Sequence, residues 1–369
     1  MPHDTLEQEH SNFAASWLAS DAEIFRIAKP DVPNIHLVSY FLLIDPAAQE
    51  FLLVDHKKAG LWLPAGGHVE PGEHPKTTVI REAKEELGID AEFLFEAPQF
   101  LSVSQTVGNM PPHTDVSFWY LLRCNRQTLL TIDKEEFHQA RWFHHTGIPY
   151  ERTDPHMKRC VLKVLKKIAT QNSYDLSVNE YTSNTAHLHP AAQAQRFLNS
   201  LPKAAKILDM GCGPGRDAKI FSEQRLEVTG IDFSQNMIDA ARQNAPLAKF
   251  ILMDVEHLTF PAEIFDGIWA SAIFLHIPKQ NFSKILARIH TILKPGGLFY
   301  FSVKQGENAD LLEGDMRYGG LEKYWSFYTL EQLTCLLQKA GFRIVETVVE
   351  NKKTHYDTHP FIKIFAEKV

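Results

Sequence analysis

Three carboxylates within one helical turn are the residues of this 369-residue chain that most clearly indicate chemistry. Glu82, Glu85 and Glu86 are spaced three and four positions apart, so a helix places them on one face. Carboxylates this close repel one another unless a cation lies between them. Mg2+ (or Mn2+) prefers oxygen ligands, and Mg2+ is often bound together with substrate phosphates. The cluster therefore indicates metal-dependent phosphate chemistry.

The residues around the carboxylates predict the elements that position them. Gly66-Gly67 predicts a turn after the apolar run 61–63, where glycine lets a backbone carbonyl approach a metal. Pro71-Gly72 predicts a second turn. A helix is expected with Pro75 in its first turn, running over 77–87 and ending at Gly88. Its apolar face would consist of Val79, Ile80, Ala83 and Leu87.

The stretch 67–89 resembles the Nudix box, Gly-x5-Glu-x7-Arg-Glu-U-x-Glu-Glu-x-Gly-U, where U is a bulky aliphatic residue. The matching residues are Gly67, Glu73, Arg81, Glu82, Glu85, Glu86, Gly88 and Ile89. Ala83 departs from the pattern at the first aliphatic position, which changes packing rather than chemistry. The combination of glycines and carboxylates disfavours a merely solvated helix face, the usual meaning of a glutamate-rich run.

The resemblance implies an α/β/α sandwich with a mixed sheet that hydrolyses a nucleoside diphosphate linked to a group X. The carbonyl of Gly67 and the carboxylates of Glu82, Glu85 and Glu86 would bind Mg2+ or Mn2+. The same three glutamates and Arg81 would form the catalytic set, with Arg81 positioned by Glu73. An acidic residue before a later strand, Glu135 or Glu136, would assist, and loops over 104–115 would recognise the group X.

Composition bounds the classes of function. Two domains are expected from the length, and 44% hydrophobic residues suffice for two cores. A net charge of −7 disfavours nucleic acid as a partner. Four scattered cysteines indicate neither a zinc site nor a disulfide framework, which fits the cytoplasm. The polar N-terminus is unlike a secretory signal, and the longest apolar run, 37–44, is too short to span a membrane.

The eighteen histidines show no metal-ligand spacing, and most are expected at the surface. The first 30 residues predict one or two short helices anchored by Trp17, Ile24 and Phe25. Strands are then expected over 36–44, 50–56, 92–95, 101–106, 114–124 and 140–144, and a helix over 155–170. The domains are placed at 1–170 and 189–369. The polar stretch 171–188 is interpreted as a linker, or as a lid carrying Tyr174 and Tyr181.

Beyond Pro190 the pattern alternates between helix and strand, which predicts a mostly parallel, Rossmann-like doubly wound sheet. Helices are expected over 191–201, 217–224, 236–244, 282–293 and 330–340. Strands are expected over 206–210, 227–232, 249–254, 265–270, 297–304 and 342–350.

The strand 206–210 runs into Gly211-Cys212-Gly213-Pro214-Gly215-Arg216, and a helix follows. Backbone N–H groups at such a turn lie close to a ligand, and Asp232, which ends the next strand, can bind ribose hydroxyls. Arg216 occupies the last glycine position of a dinucleotide fingerprint. The run resembles the D-x-G-x-G-x-G motif of class I S-adenosylmethionine-dependent methyltransferases, whose cofactor has no pyrophosphate.

This second resemblance covers about 180–369, and the segments at 265–271 and 293–299 also match it. It implies S-adenosylmethionine bound by the glycine turn and by acidic residues at strand ends, with Asp254 at the adenine amino group. The implied cofactor-binding residues are Asp209, Gly211, Cys212, Gly213, Gly215, Asp232, Phe233, Asp254 and Val255. His276, after the fourth strand, would be the catalytic base or a packing residue.

The two resemblances together predict a bifunctional enzyme that hydrolyses a nucleoside diphosphate derivative and methylates a small molecule. A homodimer stays open. Tyr318, Trp325, His355 and His359 lie where an acceptor pocket often forms, although packing is the simpler explanation for each. One alternative is a methyltransferase whose Nudix domain senses a nucleotide without cleaving it. Another is an enzyme that modifies a nucleotide or RNA cap, against which the acidic balance and a missing N-P-P-[FYW] run both count.

Overall fold

The computed structural model describes residues 2, 4–28, 32–106, 112–307, 311–351 and 358–369. Contacts divide the chain into two units, Met1–Leu165 and Lys166–Val369, and the boundary lies inside the helix Met157–Leu176. Both units are built from helices and strands.

A mixed sheet forms the centre of the first unit. Its strands are β1 Ile35–Asp45, β2 Glu50–His56, β3 Leu61–Leu63, β4 Ala65–His68, β5 Phe100–Gln105, β6 Thr114–Arg123 and β7 Phe137–His144. Their order is β3-β2-β1-β6-β5, with β4 paired to β1 and β7 paired to β2. The pairing of β1 with β6 is parallel, whereas β2 and β4 are antiparallel to β1. The predicted mixed sheet is confirmed.

The helices of this unit are α1 Thr5–Leu18, α2 Pro75–Leu87 and the first part of α3 Met157–Leu176. His74 caps α2 by accepting a hydrogen bond from the N–H of Lys76, and Gly88 ends it with φ of 70°. Val79, Ala83 and Leu87 are fully buried against the sheet. The prediction was wrong for Ile80, which is 48% exposed on the outer side of the helix.

Two local predictions in this unit were wrong. Gly66 and Gly67 do not form a turn, because they lie in β4 and pair with Tyr40 and Ser39 of β1. Sheet pairing supplies partners for the backbone groups there, so the glycines serve close packing instead of chain reversal. The stretch 92–95 is not a strand, and its sheet-like pairing is a single bridge from Phe93 to Leu122.

The second unit contains a doubly wound sheet, as predicted. Its strands are β8 Lys206–Met210, β9 Glu227–Asp232, β10 Lys249–Leu252, β11 Phe265–Ser271, β12 Leu293–Lys304, β15 Phe342–Glu350 and β16 Phe361–Lys368. Their order is β10-β9-β8-β11-β12-β16-β15. The pairings from β10 to β12 are parallel, and β16 is antiparallel to both of its neighbours.

The remaining elements of this unit are helices around the sheet and a hairpin. The helices are α4 Val178–Thr185, α5 Ala191–Asn199, α6 Arg216–Glu223, α7 Gln235–Asn244, α8 Lys279–Ile292 and α9 Leu330–Lys339. Strands β13 Leu311–Asp315 and β14 Leu321–Trp325 form the hairpin, which the sequence did not predict. The stretch 171–188 is largely helical, in the end of α3 and in α4. In the part of the chain that the structure describes, no helix is long and apolar enough to cross a membrane.

Candidate functional sites

Helix α2 and strand β4 bring two of the predicted carboxylates against the glycine backbone. Oε2 of Glu86 accepts a hydrogen bond from the N–H of Gly66 at 2.8 Å, and the residue is only 6% exposed. A Cβ atom added to Gly67 would lie 2.0 Å from Oε1 of Glu82. No residue other than glycine leaves room for the Glu82 carboxylate in this position. Gly67, Glu82 and Glu86 therefore meet, as the predicted metal site requires.

Arg81 links the carboxylates of the motif. Its Nη1 donates to Oε1 of Glu82 at 2.7 Å and to Oε2 of Glu85 at 3.2 Å. Its Nε and Nη2 contact the carboxylate of Glu73 at 3.3 Å. Glu73 also accepts a hydrogen bond from Thr78, and although burial opposes ionisation, the bonds from Arg81 and Thr78 lower its pKa. Glu85 is the most exposed of the three glutamates, with 60% of its side chain accessible.

The electrostatic environment of Glu82 and Glu86 is suited to a bound cation. Burial, together with the nearby charge of Glu82, raises the pKa of Glu86 to about 9. Burial likewise raises the pKa of Glu82, although Arg81 opposes this. Both carboxylates are ionised together at neutral pH only when positive charge is added between them. A set of oxygen donors in this state suits Mg2+ or Mn2+.

These carboxylates line a cavity of about 440 Å3. Glu136 also lines it, whereas Glu135 is exposed and is not part of its wall. The end of β5, residues 104–106, contributes another part of the wall. The predicted recognition loop over 104–115 is described only in part, since 107–111 lie outside the described residues.

The expectation that most histidines lie at the surface does not hold for three histidines of this unit, two of which, His68 and His113, line this cavity. His36 is fully buried, His113 is 7% exposed, and His68 is half-buried. They surround Asp115, and one ligand atom from each of the four residues lies within 4.8 Å of all the others. The sequence signal was the alternation His113-x-Asp115, which places both side chains on one face of a strand.

In the second unit, the glycine turn follows β8 directly. Gly211, Gly213 and Gly215 have φ of 67°, 51° and 84°. The carboxylate of Asp232 accepts hydrogen bonds from the N–H of Gly213 at 2.9 Å and of Ser234 at 3.0 Å. Burial raises the pKa of Asp232 to about 6, although these bonds oppose it. These hydrogen bonds connect the end of β9 to the glycine turn that follows β8.

The other predicted cofactor residues lie near the same edge of the sheet. Asp254 and Val255 follow β10, and the ammonium of Lys167 forms an ion pair with Asp254. Cys212 and Val255 are buried. The carbonyl of Phe233 accepts a hydrogen bond from Gln171. Asp209 lies deeper, 2% exposed, and burial, followed by the charge of Asp217, raises its pKa well above the ordinary value.

His276 contributes to the wall of a separate cavity of about 400 Å3. Its Nδ1 lies 2.8 Å from the carbonyl of Tyr324, so Nδ1 carries the proton and Nε2 accepts from the hydroxyl of Tyr174 at 2.7 Å. Burial lowers the pKa of His276 to about 3. The imidazole is neutral at pH 7, and its basic nitrogen is already engaged by Tyr174.

The cavity is also strongly basic, which the sequence did not reveal. Its cationic lining comes from separate elements and includes Arg216, Lys304, Arg317, Lys323 and Lys363. Tyr318 and Trp325 line it too, although packing was the simpler expectation for each from the sequence. His359 packs against Phe327, with ring centroids 4.4 Å apart and the rings tilted by 46°, and is not part of the wall. His355 lies outside the described residues.

Two kinds of α/β domain are thus present in one chain, one with clustered carboxylates and one with a glycine turn at the carboxyl edge of a doubly wound sheet. A family model described as the NUDIX domain matches residues 36–164, and a model described as a methyltransferase domain matches residues 184–347. The chain contains a Nudix domain followed by a methyltransferase domain.

Relatives among characterised proteins match the second half. The malonyl-[acyl-carrier protein] O-methyltransferase of Salmonella typhimurium is 27% identical over 138 residues, which are 37% of this chain and 54% of that protein. The 2-methyl-6-phytyl-1,4-hydroquinone methyltransferase of Synechocystis sp. is 31% identical over 159 residues, which are 42% of this chain and 46% of that protein. The chain thus spans about half the length of these relatives.

Similar solved structures include a SAM-dependent methyltransferase from Methanosarcina mazei. It is 24% identical with a TM-score of 0.43, and the match covers 49% of this chain and 98% of that one. Another is the 1,6-didemethyltoxoflavin-N1-methyltransferase of Burkholderia thailandensis with bound 1,6-didemethyltoxoflavin and S-adenosylhomocysteine. It is 24% identical with a TM-score of 0.43, and the match covers 58% of this chain and 91% of that one.

Proposed function

We propose that the chain is a bifunctional enzyme, with a metal-dependent pyrophosphohydrolase in its first half and an S-adenosylmethionine-dependent methyltransferase in its second half. The observation that carries the hydrolase proposal is the approach of Gly67 to Glu82, since a solvated surface carboxylate would not require a residue without a Cβ atom beside it. The matched domain models and the methyltransferase relatives support the second activity.

In the hydrolase, Glu82 and Glu86 hold Mg2+ or Mn2+ with the carbonyl of Gly67, and Glu85 adds a more accessible carboxylate. When bound, the metal supplies a Lewis acid for a diphosphate and lowers the pKa of a coordinated water. The guanidinium of Arg81 donates hydrogen bonds to the carboxylates of Glu82 and Glu85 and so holds them in position. The substrate is a nucleoside diphosphate linked to a group X, which occupies the rest of the cavity.

In the methyltransferase, the glycine turn and Asp232 bind the cofactor, with Asp254 and Val255 at the adenine. Bound S-adenosylmethionine supplies an electrophilic methyl group. The basic cavity receives a small-molecule acceptor. Tyr174 and His276 form a hydrogen-bonded pair in its wall, and the low pKa of His276 assigns this pair to positioning the acceptor rather than to taking up its proton.

The functional division is proposed at 1–170 and 189–369, and the intervening stretch is proposed to act as a cover of the methyltransferase. Several contacts of this region with the cofactor turn support the cover. Gln171 donates to the carbonyl of Phe233, Asp175 accepts from the hydroxyl of Ser234, and a Cβ on Gly213 would lie 3.7 Å from the ring of Tyr181.

A panel of nucleoside diphosphate derivatives, analysed by mass spectrometry with Mg2+, tests the hydrolase. We expect cleavage into two phosphate-bearing fragments, and a loss of turnover by at least about 100-fold in Glu85→Gln. Absence of turnover on the whole panel would favour a nucleotide-sensing domain. Methyl transfer is tested separately with labelled S-adenosylmethionine and small acceptors, and Asp232→Asn is expected to weaken cofactor binding.

A further inference from the structure

His36 and His68 lie on the neighbouring strands β1 and β4, and His113 immediately precedes β6, which pairs with β1. His36 of β1 is in register with Asp115 of β6. His68 of β4 is in register with Val38 of β1, two residues from His36 and therefore on the same face. His113 is two residues before Asp115 in the chain. The register of β4, β1 and β6 thus brings four ligand residues together.

The distances between their ligand atoms approach those around a tetrahedral metal. Nε2 of His36 and Nε2 of His113 each lie 3.3 Å from Oδ1 of Asp115. In a tetrahedral zinc site with bonds of about 2.0–2.1 Å, neighbouring ligand atoms are about 3.3 Å apart. The widest separation in the group is within 4.8 Å, so small side-chain rotations complete the tetrahedron.

Three of these ligand atoms make no hydrogen bond in the described parts of the chain. Nε2 of His36, Nε2 of His68 and Oδ1 of Asp115 are sealed from solvent and have no hydrogen-bond partner there. Leaving a buried polar atom unsatisfied costs about 1–3 kcal/mol, so three in one place indicate an occupant.

The outer contacts of the imidazoles fix the tautomer that a metal needs. Nδ1 of His36 lies 3.0 Å from the carbonyl of Pro33, which only accepts, so the proton is on Nδ1 and the lone pair of Nε2 faces the group. Nδ1 of His113 contacts the hydroxyl of Thr106 at 3.2 Å. Such contacts behind the ligands orient metal-binding histidines.

We infer that His36, His68, His113 and Asp115 bind one divalent transition-metal ion, with Zn2+ the best match to three imidazole nitrogens and one carboxylate oxygen. Mg2+ is a poor match, because it prefers oxygen ligands in octahedral geometry. The proposed site is chemically distinct from the carboxylates of α2, yet His68, His113 and Asp115 line the same cavity as Glu82 and Glu86. The inference does not depend on hydrolysis of any substrate.

Metal analysis of the full chain, purified without an affinity tag or chelator, tests this site. We expect about one zinc ion per chain by mass spectrometry. After removal of the metal, titration with Co2+ should produce the visible absorption bands of a four-coordinate nitrogen and oxygen site. Zn2+ should also raise the melting temperature of the metal-free protein, because a ligand that binds only the folded state stabilises it.

Variants separate this site from others in the chain. His68→Gln and Asp115→Asn should each weaken Zn2+ binding by at least about 100-fold. His138→Ala, at an exposed histidine of the same unit, is the matched control and should bind zinc normally. Glu82→Gln should also retain the zinc. Circular dichroism of the metal-free variants establishes that they are folded. Zinc content unchanged in folded His68→Gln and Asp115→Asn, or lost in Glu82→Gln alone, overturns the inference.

Discussion

Gly67 is the residue on which the geometry of the proposed hydrolytic site depends most, because Glu82 occupies the space that a side chain at this position would fill. In Gly67→Ala the new Cβ atom would lie 2.0 Å from Oε1 of Glu82, so the carboxylate must move by more than an ångström. We expect kcat/KM for diphosphate hydrolysis to fall by at least about 100-fold, as is typical of such misplacement.

Gly147→Ala is the matched control for this change. Gly147 belongs to the same unit, does not require a positive φ, and has no atom within 4 Å of an added Cβ. Hydrolysis should be unaffected in this control, and methyl transfer should be unaffected in both variants. Normal hydrolysis by a folded Gly67→Ala protein would show that Glu82 is not needed in its present position.

Lys304 is a buried cation in the wall of the acceptor cavity. Burial, aided by the charge of Arg317 and opposed by Asp315, lowers its pKa to about 7. Its ammonium lies 3.5 Å from the ring centroid of Trp325. Between pH 7 and the ordinary value near 10.5 the unfolded chain binds more protons than the folded one, so stability rises with pH in this window.

Lys304→Met removes the charge and should therefore stabilise the protein below about pH 7, by on the order of 2 kcal/mol. The gain should shrink towards about pH 11.5, above the ordinary pKa near 10.5, where the wild-type lysine is neutral in both states. Urea unfolding at the two pH values measures it, with the exposed Lys219→Met as the control. An equal effect of Lys304→Met at both pH values would contradict the lowered pKa.

In the first unit, the sequence predicted which motif residues lie together, but it did not predict the burial of the histidines. Glu73, Arg81 and Glu82 are close in the chain and share one helix, so local spacing determines their contacts. His36 and His68 lie on two strands and His113 lies just before a third, so only the sheet register brings them together. Long-range register is not visible in linear spacing, which is why these histidines were assigned to the surface.

At the scale of elements, the turn between β8 and α6 is the feature on which the proposed cofactor site depends. Gly211 has φ of 67°, and an added Cβ would lie 2.7 Å from Cδ1 of Ile273. Gly211→Ala thus adds backbone strain and a clash that shifts the turn. We expect the affinity for S-adenosylmethionine, measured by calorimetry, to fall by at least about 10-fold.

Gly296→Ala separates the two effects, because Gly296 has a similar φ of 70° in the same unit while its nearest atom would be 3.9 Å away. This control should lose stability through backbone strain yet bind the cofactor normally. Equal losses of cofactor affinity in both variants would mean that general destabilisation, and not the position of the turn, is responsible.

Helices and strands were predicted correctly where a strong periodic pattern of apolar residues is bounded by residues that favour turns or caps. Strands Glu50–His56, Lys206–Met210 and Glu227–Asp232 have the predicted bounds. It failed where a glycine pair reads as a turn but pairs in a sheet, as in β4. The hairpin of β13 and β14 was missed because glycines and charges interrupt its short strands, and pairing with a partner strand is what stabilises it.

At the scale of the whole molecule, the products of the proposed hydrolase and the proposed acceptor cavity are complementary in charge. Hydrolysis of a nucleoside diphosphate derivative produces fragments that carry phosphate. The acceptor cavity is lined by Arg216, Lys304, Arg317 and Lys323, a lining that suits an anionic ligand. Asp315 balances part of this charge by pairing with Arg317 at 2.7 Å and with Lys323 at 3.5 Å. The cavity nevertheless contains more cations than carboxylates.

This complementarity predicts that a product of the hydrolase is the acceptor of the methyltransferase. In a coupled assay with Mg2+ and S-adenosylmethionine, one fragment of the cleaved substrate should gain a methyl group, detected by mass spectrometry. Dephosphorylating that fragment beforehand should raise its KM by at least about 10-fold, since the charge-assisted contacts are lost. Gly67→Ala should abolish methylation from the intact substrate but not from the pre-cleaved fragment. If neither fragment is methylated and the activities accept unrelated substrates, the chain combines two independent enzymes.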